Sequence, residues 1–387
     1  MRMRVHSLIF GLALSGCLGG CGSVGNSRLS DDVLPPAVDL VAEARAWRRA
    51  EGLVVAREKL DARLQKMDAN DGMFEKRMWS VNADKSWVYP DSLATIPRPQ
   101  RSQVGIFLML GFRQTGKESP AIIARVAESL RAEGWHAELM AVPNRGTAAE
   151  DAARIHEVLS RELPKVKRAV LVGFSKGGYD LIEWMRVYGK QLPIKERRKI
   201  RLAVNFAGAL RGSAVAAWGA GDPALAGAAF RKLLVMQAGQ RPDGHATDLQ
   251  SIARDPWLDD PTWRPRSVLP RLRAIQYVVL PEGSDGRSRR HVLFSTIGRL
   301  AERNLGEVIG PMDGLVESAA QVYPEQVGVP QWIVRVLGSH ATLDGKYANG
   351  AWVSAQYHRG GRAGRLASGG ELMQDFLRAV PQRWVGM

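Results

Sequence analysis

Short apolar runs alternate with stretches of helical period over most of the chain after residue 104. The runs are rich in β-branched and other apolar residues and predict strands. They lie at 104–110, 137–142, 169–172, 202–206, 274–280 and 331–337. Stretches with apolar residues on one face predict helices at 121–134, 148–163 and 292–305, with another around 224–236. This alternation predicts the α/β class, a mostly parallel sheet built from right-handed crossovers with helices on both faces.

The segment before residue 104 has a different pattern. Apolar residues recur at helical spacing among many charges over 38–67, which predicts one or two surface helices. Residues 74–103 carry aromatic side chains such as Trp87 and Tyr89 among polar residues, so we expect early edge strands and a loop there. Residues 38–103 are therefore interpreted as an N-terminal helical and edge region.

The sequence Gly-Phe-Ser-Lys-Gly at 173–177 follows the predicted strand 169–172 directly, and a helical pattern begins straight after it. A serine between a buried strand and a helix lies on a sharp turn with its hydroxyl exposed, and Gly173 and Gly177 let the strand and helix approach closely. With 40 glycines in the chain, Gly-x-Ser-x-Gly alone can occur by chance. Its position between a strand and a helix makes Ser175 the candidate nucleophile.

A serine hydroxyl needs a base to take its proton, and histidine suits that task near neutral pH. With a nucleophile at a strand–helix turn, the partners follow in the order serine, acid, histidine, each in a loop after a strand. His340 has this place in the order, directly after the predicted strand 331–337, whereas His358 lies in a polar tail segment. Many histidines are merely structural or solvated, but this position favours His340 as the base.

Two aspartates can supply the carboxylate that orients the histidine. Asp285 follows the predicted strand 274–280 closely, whereas Asp313 begins the run Asp-Gly-Leu-Val. Asp-Gly is also ordinary turn chemistry, so each can be a simple turn residue instead. The residues alone leave both open.

These motifs together resemble the α/β-hydrolase superfamily, and within it bacterial lipases and esterases, over about residues 104–345. Such enzymes often carry the acid in an Asp-Gly-x-Val run some tens of residues before the histidine, so the resemblance favours Asp313 over Asp285. It also implies that residues 209–270, which are rich in Gly, Ala, Trp and Pro, form a cap over the site. The alternative for that segment is a surface excursion with no gating role.

The attacked carbonyl develops an oxyanion that needs hydrogen-bond donors. One expected donor is the backbone N–H of Lys176, the residue after the nucleophile. The other should come from the loop after the first strand, where Phe112 follows Gly111. Leu110 stands where lipases often have a histidine, a departure from the family pattern. The resemblance implies neither a metal nor an organic cofactor.

The N-terminus resembles a bacterial lipoprotein signal. Arg2 and Arg4 precede a short apolar run that is too short to span a bilayer. Leu-Ser-Gly-Cys follows and resembles a lipobox, which predicts a signal peptide at 1–16 and acylation of Cys17; Cys21 is a weaker second candidate. We expect a tether at 17–37, then the hydrolase domain at 104–387 after the N-terminal region.

Charge and cysteine usage refine this picture. Lys and Arg number 54 against 39 Asp and Glu, a net charge of +15 that favours an anionic membrane surface as partner. Without interleaved Arg and aromatic residues or zinc spacing, a nucleic-acid partner is not expected. Both cysteines, Cys17 and Cys21, lie at the start of the predicted tether, so the body of the protein can form no internal disulfide. The residue after Cys17 resembles an outer-membrane sorting signal more than an inner-membrane one.

The sequence predicts a lipid-anchored serine hydrolase of a bacterial envelope that cleaves carboxylic esters or thioesters of lipid or acylated substrates through an acyl-enzyme. An acyltransferase or peptidase using the same triad is one alternative, because fold and triad do not choose the acceptor or the scissile bond. A non-catalytic envelope binding protein on the same scaffold is another. The oligomeric state does not follow from the sequence.

Overall fold

The structure is a computed structural model. It describes residues 39–109, 111, 120–140, 146–221, 252–281, 300, 305, 309–338, 340, 347–348, 351–352, 355–359, 362–367 and 369–387.

Strands within these residues confirm all six predicted strands and add four near the end of the chain. They are Val104–Met109 (β1), His136–Met140 (β2), Arg168–Phe174 (β3), Ile200–Phe206 (β4), Arg273–Pro281 (β5), Gln331–Gly338 (β6), Tyr347–Ala348 (β7), Ala351–Trp352 (β8), Ala355–Arg359 (β9) and Arg362–Ala367 (β10). Eight of them form one sheet in the order β10-β9-β6-β5-β4-β3-β1-β2, and β7 pairs with β8 separately. The pairs among β1–β6 are parallel, whereas β9 and β10 add an antiparallel edge.

The described helices of the N-terminal two thirds are Leu40–Met67 (α1), Met73–Ala83 (α2), Arg98–Arg101 (α3), Pro120–Ala132 (α4), Ala148–Glu162 (α5), Lys176–Val187 (α6), Ile194–Arg197 (α7) and Ala214–Gly221 (α8). Further helices lie at Pro256–Asp259, Pro265–Val268, Gly369–Ala379 and Gln382–Val385. Turns of 3-10 helix lie at Leu93–Thr95, Leu163–Lys165, Gly189–Gln191, Ser318–Gln321 and Glu325–Val327. α4 and α5 confirm two predicted helices; those predicted around 224–236 and at 292–305 lie outside the described residues, apart from 300 and 305.

Helices cover both faces of the sheet, as predicted for a parallel sheet with apolar strands. Ile106 and Leu108 of β1 belong to a core completed by α2, α4 and the helix Gly369–Ala379. Phe107 and Met109, which alternate with them, belong to a core completed by α5 and α6. The sheet is therefore buried on both sides, and the carboxyl ends of its parallel strands all lie along one edge.

The N-terminal region is helical, and the edge strands predicted over 74–103 are wrong. α1 contains a break at Gly52, where φ is 83° and ψ is 171°, so it consists of two helical segments. α2 buries Phe74 and Met78 completely. Their spacing of four residues is the helical period, which outweighs the strand preference of the aromatic residues in this segment.

The residues after 345, where no strand was predicted, extend the sheet through β9 and β10. Val336 and Leu337 of β6 pair with Tyr357 and Gln356 of β9. His358, assigned from sequence to a tail without a strand, lies in β9. The segments contain few β-branched residues, so pairing with a neighbouring strand decides their structure rather than local preference.

In the described part of the chain, no helix combines the length and the apolar character that a membrane span requires.

Candidate active site

Ser175 lies on a strained turn between β3 and α6. Its backbone has φ 53° and ψ −122°, a region that side-chain-bearing residues rarely adopt and that costs of order 1–3 kcal/mol. Three main-chain hydrogen bonds hold this conformation. The Ser175 N–H donates to the carbonyl of Phe206 at the end of β4, over 2.9 Å, and the Ser175 carbonyl accepts from Gly178 and Ala209, each over 3.0 Å. The predicted nucleophile elbow is thus fixed by the two central strands.

Glycines permit the close approaches around this turn. A Cβ on Gly173 would lie 2.8 Å from the backbone of Gly178, a residue that sequence reasoning did not single out. A Cβ on Gly111 would lie 2.8 Å from Cβ of Ser175 and 2.9 Å from the carbonyl oxygen of Phe174. Gly111 therefore lies directly beside the serine. Phe112 itself lies outside the described residues.

The structure brings Ser175 and His340 together. Ser175 Oγ lies 2.6 Å from Nε2 of His340, and the two side chains are 165 positions apart in the chain. His340 follows β6 closely, and its backbone N–H donates to the carbonyl of Asp313 over 2.9 Å. Both residues are buried, so water competes little for the hydrogen bond between them.

Asp313 lies on the other side of the imidazole. Its Oδ2 is 2.8 Å from Nδ1 of His340. Its Oδ1 accepts from the backbone N–H of Leu315 and Val316 over 2.9 and 2.8 Å. This local turn, with Gly314 at φ 107°, is the structural reason for the Asp-Gly-Leu-Val run. Asp285 lies outside the described residues.

Gln321 is a further member of this network that the sequence analysis missed. Its Nε2 donates to Asp313 Oδ2 over 2.9 Å, and its Oε1 accepts from the N–H of Val279 in β5 over 2.8 Å. The Asp313 carboxylate thus accepts from two backbone N–H groups and one amide besides facing the imidazole. A carboxylate with this many donors orients the ring with Nδ1–H toward Asp313, which leaves Nε2 to accept from the serine hydroxyl. A lone glutamine carries no sequence signal for this role.

Lys176 begins α6, so its backbone N–H points out of the first turn of the helix beside the serine. Its side chain is buried between two carboxylates, contacting Asp151 of α5 and both oxygens of Asp180, at 2.8 and 2.9 Å. Burial alone would lower the pKa of this ammonium, but the charges of Asp180 and Asp151 outweigh it and raise the pKa above its ordinary value. The pair Lys176 and Asp180, one helical turn apart, was a sequence signal for this cluster.

The segment 209–270, predicted to be a cap, is described at both of its ends. Arg211 donates its backbone N–H to the carbonyl of Ala320, and Ser213 Oγ donates to the carbonyl of Leu315 over 2.6 Å. The first end therefore contacts the loop that carries Asp313, and the Ser213 N–H donates to the carbonyl of Ile252 at the second end over 2.8 Å. Residues 222–251 lie outside the described residues, so a gating role stays a prediction, as does acylation of Cys17.

The arrangement contains the groups that nucleophilic catalysis needs: a hydroxyl, a base within hydrogen-bond distance and a carboxylate that orients the base. Among the described residues, no group of three or more His, Cys, Asp or Glu side chains is placed to hold a metal ion.

No protein-family model and no curated protein sequence matches the chain. Solved structures that it resembles include a metagenomic carboxyl esterase, at 17% identity and a TM-score of 0.47, covering 81% of this chain and 88% of the esterase. A mature Bacillus licheniformis lipase has 14% identity and a TM-score of 0.41, covering 64% and 87% of the two chains. A Legionella pneumophila phospholipase has 14% identity and a TM-score of 0.39, covering 57% and 45%.

The sheet order, the elbow after β3 and the helices on both faces have the arrangement of an α/β-hydrolase fold, as the sequence predicted. At identities this low, the reaction has to be inferred from the chain's own residues.

Proposed function

We propose that the protein is a serine hydrolase that cleaves carboxylic esters through an acyl-enzyme. The observation that carries this proposal is the continuous hydrogen-bonded chain from Ser175 through His340 to Asp313, with distances of 2.6 and 2.8 Å. The strained serine backbone supports it, because such strain persists where the surrounding structure enforces it and is concentrated at functional sites.

The reaction follows from this geometry. Ser175 Oγ attacks the ester carbonyl carbon while its proton passes to Nε2 of His340. The imidazolium that forms is stabilised by the Asp313 carboxylate and then gives the proton to the departing alkoxide, which leaves as an alcohol. Water attacks the acyl-serine in the second half, with His340 again taking and returning one proton, and releases the carboxylic acid.

The oxyanion of each tetrahedral intermediate would be held by the backbone N–H of Lys176 and by a second donor, Phe112 N–H in our proposal. The buried ion pairs of the Lys176 side chain support this role, because they fix the first turn of α6. Preorganised donors of this kind are worth about 10²- to 10³-fold in kcat each.

We propose a lipid or another acylated molecule of a bacterial envelope as substrate. The lipobox-like sequence around Cys17 and the net charge of +15 support this location, since both would hold the enzyme at an anionic surface. Outer-membrane anchoring and thioester cleavage belong to the same proposal.

The test is labelling of the purified chain from Val38 onward with a fluorophosphonate probe, with the modified residue located by peptide mass spectrometry. We expect a label on Ser175 and hydrolysis of p-nitrophenyl esters. Ser175→Ala should abolish labelling, His340→Ala should slow hydrolysis by about 10⁶-fold and Asp313→Asn by about 10⁴-fold.

Ser102→Ala, which changes an exposed serine outside the site, is the matched control and should retain full activity. A folded protein that takes no label on Ser175 and hydrolyses none of the esters would contradict the proposal and favour a non-catalytic binding protein. Transfer of the acyl group to an added alcohol in preference to water would instead favour an acyltransferase.

A further inference from the structure

Four arginines lie together at the amino ends of the central strands, on the sheet edge opposite the serine. Arg168 begins β3 and Arg273 begins β5, while Arg201 is the second residue of β4 between them. The register pairs Ala169 with Ile200 and Leu202 with Arg273, so the three side chains leave neighbouring strands at the same level. Arg271 precedes β5. We refer to Arg168, Arg201, Arg271 and Arg273 as the arginine cluster.

The end of the chain holds this cluster in place. Arg168 Nε donates to the carbonyl of Gly386 over 3.0 Å, and Arg273 Nη1 donates to the carbonyl of Trp384 over 3.3 Å. A Cβ on Gly386 would lie 3.1 Å from Nε of Arg168 and 3.4 Å from Cζ of Arg201. The side chains of Arg168 and Arg201 therefore both lie close to Gly386, and main-chain carbonyls hold the guanidinium groups of Arg168 and Arg273.

The arginine cluster has no acidic partner within the described residues. No carboxylate of that part of the chain lies within 4.0 Å of any of its guanidinium nitrogens. By contrast, the partly buried Arg211 contacts Asp39 and Asp255, and Arg335 contacts Glu75 and Asp61.

Arg201 is the most unusual member. Its Nε is shielded from solvent and has no hydrogen-bond partner, although buried donors are nearly always satisfied. Burial, followed by the charges of Arg271, Arg168 and Arg273, lowers the pKa of Arg201 to about 10. A half-buried guanidinium that faces three others and no anion is an arrangement that a bound anion would complete.

We propose that the arginine cluster is a binding site for a phosphate-type oxyanion, either free phosphate or the phosphate of an anionic lipid headgroup. Guanidinium forks match the geometry of phosphate oxygens and bind them through paired, charge-assisted hydrogen bonds. The guanidinium groups of four neighbouring arginines supply donors from several directions, so that one phosphate group can neutralise several charges at once.

This site is separate from the proposed catalytic site. β3 runs from Arg168 to Phe174, which at about 3.3 Å per residue places the arginine cluster on the order of 20 Å from Ser175. Phosphate binding at the arginine cluster therefore does not depend on ester hydrolysis at Ser175, and either can be absent without the other.

The first experiment measures binding of inorganic phosphate to the chain from Val38 onward by calorimetric titration, at constant ionic strength maintained with chloride. We expect saturable binding that Arg201→Gln weakens at least tenfold. Arg154→Gln, which removes a partly exposed arginine on α5 that pairs with Glu157, is the matched control and should bind phosphate like the parent. Ester hydrolysis should be the same in all three proteins.

A second experiment identifies the source of the phosphate. Sedimentation with phosphatidylglycerol vesicles, compared with phosphatidylcholine vesicles, tests the lipid headgroup. Binding to phosphatidylglycerol that Arg201→Gln abolishes and free phosphate displaces would assign the site to a headgroup. Phosphate binding without such vesicle binding would assign it to a free anion. If Arg201→Gln changes neither measurement more than Arg154→Gln does, the proposal is wrong.

Discussion

Individual residues at the proposed catalytic site differ in how strongly the sequence indicates them. The serine has a local signal, because the elbow needs glycines next to it and a strand and helix on either side. Asp313 has a weaker one, because its carboxylate caps the backbone N–H groups of Leu315 and Val316 and so requires a turn sequence. Gln321 has none, because its contacts with Asp313 and Val279 exist only once β5 and the loop after it are folded.

The ion pairs of Lys176 predict how the stability of a variant without this lysine depends on pH. Lys176→Met leaves Asp151 and Asp180 buried without their cation, and removal of one partner from such a cluster costs roughly 3–5 kcal/mol. Burial already raises the pKa of Asp151, and without the ammonium the rise becomes larger. A carboxyl whose pKa is higher in the folded than in the unfolded state binds more protons when folded, so stability falls as pH rises.

We therefore expect the free energy of unfolding of Lys176→Met to fall between pH 5 and pH 8. Lys176 gives the parent no such decrease in this pH range. Its pKa is raised in the folded state, so the stability that its ion pairs contribute is lost only above the ordinary lysine pKa of about 10.4. Urea unfolding at several pH values measures this. The triple variant that adds Asp151→Asn and Asp180→Asn is the control and should lose the pH dependence. Equal slopes for Lys176→Met and the parent would contradict the prediction.

Among the elements, α1 and the loop 310–321 determine where the acid of the proposed triad lies. Arg45 of α1 contacts both carboxylate oxygens of Glu317, at 2.9 and 2.6 Å, and Glu317 also accepts the N–H of Gly310 over 2.7 Å. Apolar residues of α1, among them Leu40 and Ala44, belong to the same buried cluster as Val316 of this loop. The helix therefore stabilises the loop that carries Asp313.

Arg45→Met should loosen this loop. Glu317 is buried, so the loss of its charged partner is expected to cost about 2 kcal/mol of unfolding free energy and to lower kcat for ester hydrolysis. A second change, Glu317→Gln, keeps an acceptor for Gly310 and removes the unpaired charge, so the double variant should recover part of the stability.

Lys59→Met, which breaks an exposed ion pair with Glu51 on the same helix, is the control and should change stability by less than about 1 kcal/mol. Thermal and urea unfolding, together with kcat on a p-nitrophenyl ester, measure these effects. An effect of Arg45→Met no larger than that of Lys59→Met would show that α1 does not hold the acid in place.

Element prediction from the sequence succeeded where local pattern and tertiary environment agree. β1 and β3 to β6 are buried along almost their whole length, so their apolar runs identified them. α2 was missed because aromatic residues in its segment favoured strands, and β9 was missed because its place in the sheet depends on pairing with Val336 and Leu337. Of the proposed triad, Ser175 and His340 were predicted from order and loop position and Asp313 from the family resemblance, whereas the hydrogen bonds that support them were not predicted.

The sheet carries two different polar sites on its opposite edges. The carboxyl ends of the parallel strands bear the serine and its partners, while the amino ends bear the arginine cluster. The parallel direction produces this separation, because every strand from β1 to β6 begins on one edge and ends on the other.

The N-terminal helices lie against this sheet as part of its core rather than as an appendage, which gives a prediction for truncated chains. α1 and α2 bury Leu60, Leu64, Phe74 and Met78 completely. At about 1.5–3 kcal/mol for each side chain, their loss approaches the total stability of an ordinary domain, about 5–15 kcal/mol. Removal of these helices also leaves Arg335 in β6 without its two carboxylate partners.

A chain that begins at residue 84 should therefore fail to fold, whereas a chain that begins at Val38 should unfold cooperatively and hydrolyse esters. Circular dichroism during thermal unfolding distinguishes the two. Arg335→Met in the shorter chain removes the buried charge that has lost its partners. If this variant also fails to fold, the lost burial of apolar side chains is the dominant cause of the failure. A cooperative transition in the shorter chain itself would show instead that the sheet and its remaining helices are sufficient for folding.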